Sequence, residues 1–226
     1  MATLAGVDDL AARLGHVRWL GGGSGAGKST IAERLAGALG LRIYSTDAAI
    51  QPHLDRSTPA RHPLVTAFAA MDMDERWLTR SPAEMLATFH GFQGELFELI
   101  VEDLLALPTE PAILVEGFRL LPRLVAPLLR EPHGAGQAAW LIPTPAFRRA
   151  AFTARGNLWS IARQTSDPPR ALENLLARDA RFSEQVAAEA ATLGLQTILV
   201  DGSLTVEALT RRVEVALGLG AGADRG

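Results

Sequence analysis

The sequence predicts an α/β fold in which helices cover both faces of a parallel sheet. In residues 16–39, a strand, a glycine-rich loop and an amphipathic helix follow one another. Strand-like and helical segments then alternate along the chain, which is the pattern of a parallel sheet with helices packed on it. The segment AILVE at 112–116 is apolar up to its final acid, as expected for a central strand buried on both faces.

The individual elements are assigned in chain order. A short helix precedes His16 and ends at Gly15. The predicted strands cover residues 16–20, 41–45, 112–116, 138–142 and 196–200. The predicted helices cover residues 29–39, 122–129, 147–155, 170–191 and, after the Asp201-Gly202 turn, the residues through Leu217. We therefore expect one domain over residues 1–217 and a disordered tail over 218–226.

Composition narrows the class of protein. With 226 residues, 48% of them hydrophobic, the chain can bury a full core in one domain with insertions. A net charge of −3 gives no electrostatic footprint for a nucleic-acid or membrane partner. The absence of cysteine excludes disulfides, thiolate metal sites and a cysteine nucleophile. No apolar run is long enough to span a bilayer, and Asp8 and Asp9 stand where a signal peptide would carry basic residues, so we expect a cytoplasmic protein.

The segment between the second and third strands is the least regular part of the sequence. Prolines and arginines punctuate residues 51–80, which predicts a mobile insertion. Its arginines are Arg56, Arg61, Arg76 and Arg80. The capping box SPAE then predicts one long helix that ends before Pro108. Glu95, Glu98 and Glu102 fall on the face of this helix opposite its apolar residues, which predicts a solvated surface.

The loop after the first strand carries the strongest motif. Residues 22–30 read GGSGAGKST and fit G-x-x-x-x-G-K-[ST], the Walker A pattern. Its glycines permit positive φ and turn backbone N–H groups towards phosphate oxygens at a helix N-terminus. All of its positions are candidate nucleotide contacts: Gly22, Gly23, Ser24, Gly25, Ala26, Gly27, Lys28, Ser29 and Thr30.

Two side chains of this loop have distinct predicted roles. Lys28 would reach the β- and γ-phosphates of a nucleotide, and Ser29 would bind Mg²⁺ through its hydroxyl. Lys28 is also the only lysine in the chain. A compact ammonium is thus kept at the one position where the motif places it against phosphate. A glycine turn without a ligand is the alternative, but the strand before the loop and the helix after it favour nucleotide binding.

Asp47 follows the second strand, at the sheet edge where ligands of parallel sheets bind. Phosphoryl transfer to a hydroxyl needs a carboxylate that orients the acceptor or takes its proton, and Asp47 is the first candidate for that base. Asp47 is also a candidate Mg²⁺ ligand. The alternative is that Asp47 caps the helix that starts there, and the two roles are compatible.

Glu116 ends the AILVE strand, where an acid of the Walker B type binds Mg²⁺ through water or positions a nucleophile. Most such motifs carry aspartate, whereas here a glutamate is followed by Gly117. Desolvating a bare carboxylate is costly, so a buried strand that ends in one needs a partner for it. That partner is either the metal site or a salt bridge to Arg119 or Arg123.

A group of arginines suits a flap that closes over phosphates and supplies charge to the transition state. Arg148, Arg149 and Arg155 lie on one predicted helix, where at most two of them share a face. Residues 156–169 after it include glycine, asparagine and two adjacent prolines, which predicts a loop. A solvated helix is the alternative for each of these arginines, and Arg163 is a weaker candidate.

The remaining titratable residues are assigned to packing. His90 lies beside Phe89 on the flank of the long predicted helix, which favours a histidine at the core edge or surface over a catalytic one. His53 and His62 are no better candidates for catalysis. Tyr44, the only tyrosine, is expected to pack against the core.

The sequence resembles the P-loop kinases of the nucleoside monophosphate kinase type, because its motifs occur in the same order as in that family. The shared features are GGSGAGKST, YSTD with Asp47, AILVEG with Glu116 and the arginine-bearing flap. The resemblance covers nearly the whole chain, and Walker A is its only highly specific motif. It implies a three-layer P-loop NTPase fold with five parallel strands in the order 2-3-1-4-5. It also implies an acceptor-binding insertion near residues 50–105 and a lid near residues 148–170.

The chemistry of that family follows from the same resemblance. The implied cofactors are ATP and Mg²⁺. The residues implied in the catalytic step are Lys28, Asp47, Arg148 and Arg155. The residues implied to hold Mg²⁺ are Ser29, Asp47 and Glu116. Arg149 would contact the nucleotide from the lid, and adenine would lie against the loop after the last strand, at Asp201 and Gly202.

The acceptor is expected to be a small molecule with a hydroxyl group. YSTDAAI looks more like relatives that phosphorylate sugar acids, shikimate or hydroxyl-bearing antibiotics than like a nucleotide-acceptor site. A nucleoside or nucleotide acceptor is the alternative, favoured if the insertion arginines converge on one anion. Phe68, Trp77 and Phe89 would instead line a more apolar pocket. An alternative from another class is a nucleotide-dependent regulatory ATPase or switch.

Overall fold

The sheet has five parallel strands in the order β2-β3-β1-β4-β5 in the computed structural model, which describes residues 4–130, 136–155 and 157–220. The strands are β1 (Val17–Gly22), β2 (Arg42–Ser45), β3 (Ile113–Glu116), β4 (Ala138–Pro143) and β5 (Thr197–Val200). The expected α/β class, parallel sheet and strand order are confirmed. The central strand β1 pairs with β3 and β4, so the loop that follows β1 emerges from the middle of the sheet.

Helices surround this sheet. They are α1 (Leu4–Arg13), α2 (Lys28–Leu39), α3 (Ile50–Asp55), α4 (Pro63–Ala70), α5 (Pro82–Thr88), α6 (His90–Gln93), α7 (Phe97–Ala106), α8 (Pro122–Val125), α9 (Pro145–Arg155), α10 (Asn157–Ala162), α11 (Pro168–Thr192) and α12 (Val206–Ala216). A π-helical turn covers Glu75–Thr79, and a 3₁₀ turn covers Ala126–Leu128. Among the described helices, none has the length and apolar character needed to cross a bilayer.

Alternate residues of the strands pack into two separate cores, one on each face of the sheet. On β4, Trp140 belongs to a core that includes Phe92 of α6 and Phe182 of α11. Its neighbour Leu141 belongs to a second core that includes Ile31 of α2 and residues of α12. Successive strand residues point to opposite faces, so this division confirms helices on both sides of the sheet.

The single long helix predicted after the SPAE box is wrong. The chain forms α5, α6 and α7, which are separated by an extended residue at Phe89 and by two residues with positive φ, Gly94 at 89° and Leu96 at 71°. The breaks let apolar residues enter different cores, since Met85 packs with Trp77 while Leu96 packs with the α4 helix. A straight helix would have presented these residues on one face.

The insertion over residues 51–80 has defined helices, because acids from α7 and the segment before it hold them. Both carboxylate oxygens of Glu95 accept hydrogen bonds at 2.9 Å from backbone N–H groups in the first turn of α4. Glu98 accepts a 2.7 Å bond from His62, the residue that precedes α4. The prediction of a merely solvated acidic face is therefore wrong for Glu95 and Glu98.

The region predicted as a loop after α9 is also more regular than expected. The helix α10 (Asn157–Ala162) occupies much of it, while residue 156 lies outside the described part of the chain. Asp167 then caps α11 by accepting a hydrogen bond from the N–H of Arg170. Most of the predicted tail, residues 221–226, also lies outside the described residues.

We expect Trp140 to contribute a measurable hydrogen bond to stability. Its Nε1–H donates to the carbonyl of Leu120 at 2.7 Å, and both residues are fully buried. Trp140→Phe should lower the free energy of unfolding by about 1–3 kcal/mol, because a buried carbonyl loses its donor. Trp159→Phe, at a tryptophan that is 47% exposed, is the matched control and should change it by no more than about 0.5 kcal/mol. Urea unfolding followed by circular dichroism compares the two, and equal losses would contradict the assignment.

Candidate functional site

The glycine loop between β1 and α2 is held by a backbone that only glycine tolerates. Gly22, Gly25 and Gly27 have φ values of 122°, 78° and 85°. A Cβ atom on Gly22 would overlap the carbonyl of Leu141 on β4, so close packing requires glycine there. A Cβ on Gly27 would meet no heavy atom within 4 Å, so open space lies beside that residue.

The loop presents a row of free backbone donors. Within the part of the chain that the structure describes, the N–H groups of residues 24–30 donate to no protein acceptor. The helix α2 begins here at Lys28, with Gly27 as its N-cap and no side chain as a cap. Free N–H groups at a helix N-terminus attract anions, because the helix dipole adds partial positive charge to them. The geometry therefore suits phosphate oxygens.

Lys28 lies beneath this loop and is only 8% exposed. Its Nζ donates to the carbonyls of Gly22 at 3.2 Å and Gly23 at 2.8 Å. Burial lowers the pKa of Lys28, while the carboxylates of Asp47 and Glu116 act in the opposite direction. A buried ammonium so close to the loop can bind an anion with little competition from water.

Glu116, at the end of β3, forms hydrogen bonds to both the start of α2 and the end of β2. It is 2% exposed, and its Oε1 accepts a 2.6 Å hydrogen bond from the hydroxyl of Ser45 at the end of β2. Its Oε2 accepts a 3.2 Å bond from the hydroxyl of Ser29 in the first turn of α2. The alternative salt bridge is wrong, because Arg119 contacts His53 and Thr46, and Arg123 pairs with Glu189.

The Ser29 hydroxyl and the Glu116 carboxylate are oxygen ligands of the kind that Mg²⁺ prefers. They meet at the start of α2, beside the free N–H groups of the loop. Within the described residues, no group of three or more His, Asp or Glu side chains forms a ready metal cage. Mg²⁺ in proteins usually takes its other ligands from water and phosphate oxygens.

Asp47 is exposed and lies where β2 ends. The helix α3 begins after Ala49 without a side-chain cap, so the interpretation of Asp47 as its cap is wrong. Across the described residues, the Asp47 carboxylate makes no hydrogen bond or salt bridge, although its charge acts on Lys28 and Arg119. The result is an accessible carboxylate beside the phosphate loop.

The three arginines of α9 occupy different environments. Arg148 is 1% exposed, and its guanidinium donates to the hydroxyl of Ser183. The Cγ atom of its side chain lies next to Gly25. Arg149 is exposed and forms two 2.9 Å hydrogen bonds to Glu173 on α11. The side chain of Arg155 lies outside the described residues. The structure thus brings Arg148 to the loop and places Arg149 in a surface ion pair.

A cleft of about 240 Å³ opens next to the glycine loop. Its floor is formed by the loop and the start of α2, and one wall contains Phe147. The cleft is also lined by Leu199 at the end of β5 and by the segment that follows, with Asp201, Gly202 and Leu204. The two residues expected beside a nucleobase therefore lie at this cleft, whereas Arg149 does not line it.

A scan against protein-family models and a search of curated proteins returned no match to this chain. The free loop amides, the buried Lys28 and the contact between Ser29 and Glu116 come together from separate elements. The loop amides were expected from the sequence motif, whereas the burial of Lys28 and the hydrogen bond between Ser29 and Glu116 were found only in the tertiary structure.

Sequence reasoning missed a buried network behind Asp47. His53 is fully buried, and its Nε2 lies 2.8 Å from the Oδ2 of Asp103. Tyr44 donates to the same oxygen at 2.6 Å, so it has a polar role in addition to packing. It also missed Asp179 on α11, which is 1% exposed, pairs with Arg178 and acts on the charge of Lys28. No local pattern marked His53 and Tyr44, because their shared partner Asp103 is distant in sequence. Asp179 pairs with its neighbour Arg178, but its action on Lys28 likewise joins distant parts of the chain.

His90 lies at the edge of the core, as expected. It is 6% exposed, and its ring is 4.6 Å from that of Phe89 and 5.6 Å from that of Phe68. Burial lowers the pKa of His90 to about 4, and the charge of Arg119 adds to this effect. The folded protein therefore keeps this imidazole neutral in a pH range where an exposed histidine would be charged.

Stability should consequently fall as the pH drops through this range. Unfolded His90 binds a proton near its ordinary pKa of 6.5, whereas the folded pKa is about 4, so between these values the unfolded state binds more protons. As the pH falls from about 7 to about 5, the protonation of His90 in the unfolded state lowers the free energy of unfolding by about 2 kcal/mol. Urea unfolding at both pH values should show a smaller loss for His90→Gln than for the unchanged protein. Identical pH dependence in the two proteins would exclude His90 as the source.

Proposed function

We propose that this protein is a P-loop phosphotransferase that uses ATP and Mg²⁺ to phosphorylate a hydroxyl group of a small molecule. The observation that carries the proposal is the position of an accessible carboxylate, Asp47, beside a buried lysine under a row of free loop amides. Phosphoryl transfer requires these parts, namely an anion cradle, positive charge and a group that orients the acceptor hydroxyl.

Each part of the site has a role in this proposal. The amides of residues 24–30 hold phosphate oxygens, and Lys28 supplies charge from below the loop. Ser29 and Glu116 would hold Mg²⁺, which neutralises charge on the transferring phosphate when it is bound. Arg148, whose charge acts on Lys28, supplies further positive charge near the loop. The apolar cleft beside Asp201 suits a flat nucleobase.

Asp47 acts as the general base or orients the acceptor hydroxyl. Its carboxylate is free of partners among the described residues, so an incoming hydroxyl can donate to it directly. A strong ion pair at this position would have to be broken before the acceptor could bind. The exposure of Asp47 also gives an acceptor direct access from solvent.

The insertion favours a small-molecule acceptor over a nucleotide. A nucleotide acceptor needs arginines that converge on its phosphate. The insertion arginines instead contact separate partners: Arg56 binds Glu102 and Asp103, Arg61 pairs with Glu98, Arg76 donates to Phe68 and Ala69, and Arg80 donates to Glu75, Arg76 and Thr88. Phe68, Trp77 and Phe89 pack edge-on or tilted against one another, with ring centroids 5.3–6.2 Å apart.

Asp47→Asn should keep nucleotide binding and lose at least about 100-fold in the rate of phosphoryl transfer. The amide keeps the shape of the side chain but is a far weaker base. The acceptor is first found by screening hydroxylated acids, nucleosides and aminoglycoside-like compounds for ATP consumption. Asp55→Asn, an exposed aspartate on α3, is the matched control. Unchanged turnover in Asp47→Asn would remove Asp47 from the mechanism.

Glu116→Gln should raise the Mg²⁺ concentration needed for half-maximal activity by about 10-fold or more. The substitution removes the charge next to Ser29 and preserves a hydrogen-bond acceptor for Ser45. Glu33→Gln, an exposed acid on α2, serves as the control. Titration of Mg²⁺ at saturating ATP provides the measurement. An unchanged Mg²⁺ requirement would show that Glu116 has a structural role only.

A further inference from the structure

We propose that Arg119 is a positioning residue for Asp47, and that His53 and Asp103 hold Arg119 in place through a chain of hydrogen bonds. This inference rests on the proposed role of Asp47 in phosphoryl transfer. The chain runs from α7 through α3 to the turn after β2, where the acceptor hydroxyl would be bound. We call these three residues the Arg119 relay.

The first step of the relay is the contact between Arg119 and the backbone beside Asp47. The NH2 group of Arg119 donates to the carbonyl of Thr46, the residue that precedes Asp47. The N–H of Thr46 donates in turn to the carbonyl of Glu116 at 2.9 Å. The carbonyl and the N–H of Thr46 are therefore both hydrogen-bonded, while the Asp47 side chain remains free.

The charge of Arg119 also acts on Asp47. Arg119 is 2% exposed, and burial lowers its pKa, while the Asp47 carboxylate is the largest influence in the opposite direction. Arg119 has no salt bridge within the described part of the chain. Asp47 is therefore the main negative charge that compensates this buried guanidinium, and the attraction favours one placement of the Asp47 turn.

The second step determines the protonation of His53. The NH1 group of Arg119 lies 3.2 Å from Nδ1 of His53. A guanidinium can only donate, so Nδ1 must accept and the ring proton must lie on Nε2. That proton is donated to Oδ2 of Asp103 at 2.8 Å. The imidazole of His53 thus connects Arg119 to Asp103 in a defined orientation.

Asp103 is the anchor of the chain. Its Oδ2 accepts a 2.6 Å bond from Tyr44 on β2, and its Oδ1 accepts a 2.7 Å bond from Arg56 at the end of α3. Burial alone would raise the pKa of Asp103, but the hydrogen bonds from Tyr44, His53 and Arg56 lower it overall. The carboxylate therefore stays charged and keeps the orientation of His53 defined.

Arg119 is suited to positioning rather than to binding an acceptor. Two of its nitrogens are engaged by His53 and Thr46, and the third, Nε, is buried. A ligand would have to displace a protein contact to reach NH1 or NH2, and Nε, which has no partner among the described residues, is closed off from solvent. Arg119 can therefore act on the reaction through Asp47, whose exposed carboxylate is the group that an acceptor would touch.

A matched pair of substitutions at His53 tests the roles of its two ring nitrogens separately. An asparagine carbonyl can replace Nδ1 as the acceptor for Arg119 but is too short to reach Asp103. A glutamine amide can replace Nε2 as the donor to Asp103 but leaves Arg119 without its acceptor. Only His53→Gln should therefore release Arg119. Arg123→Gln, at an arginine that pairs with Glu189 outside the relay, serves as a control for the loss of an arginine contact.

Amide hydrogen exchange of residues 47–50 tests the positioning role without any acceptor. The N–H of Ala49 donates to Ser45 and that of Ile50 to Asp47, so both report on this turn. Relative to amides of β1 and β4, we expect exchange at least about 10-fold faster in His53→Gln and less than about 3-fold faster in His53→Asn and Arg123→Gln. Equal acceleration in both His53 variants, or none in His53→Gln, would overturn the proposal.

Kinetics with the acceptor from the screen then test the consequence for the reaction. His53→Gln should lower kcat by about 10-fold or more with an unchanged KM for ATP, whereas His53→Asn should keep most of kcat. A lower kcat in His53→Gln without faster exchange at residues 47–50 would also overturn the proposal. If Asp47→Asn is fully active while the exchange results hold, the base role of Asp47 fails and the positioning by Arg119 stands.

Discussion

The burial of one ammonium group, that of Lys28, is the constraint on which the site depends. Removing a charge from water is costly, and the protein offsets the cost with the carbonyls of Gly22 and Gly23 and with nearby carboxylates. Asp47 and Glu116 can supply this compensation because they lie at the ends of β2 and β3. A parallel sheet brings those ends to the same edge as the loop after β1.

The sheet order determines which residues meet there. β3 lies between β1 and β2, so Glu116 can bind Ser29 on one side and Ser45 on the other. The central position of β1 leaves its loop bordered by β4, where only glycine at position 22 avoids the carbonyl of Leu141. The phosphate loop is therefore shaped as much by its neighbouring strands as by its own residues.

Behind the loop, polar side chains form a connected network in which His53 and Arg119 are buried and Asp103 is partly exposed. Each of these side chains contacts the next across three different elements. Such a chain defines geometry, because each hydrogen bond fixes the orientation of the next side chain. The turn that carries Asp47 is thus held by a network that lies behind it.

The sequence by itself determined the features that depend on neighbouring residues. Alternating elements predicted the parallel sheet that the structure has, and the spacing of glycines, Lys28 and Ser29 predicted a glycine loop at the start of a helix, because both are encoded within short segments. Only the tertiary structure decided that the helix after residue 81 breaks, because that break depends on which cores its apolar residues enter. It also decided that His53 is buried against Asp103, because a pairing between residues 50 positions apart is set by how elements pack and not by local pattern.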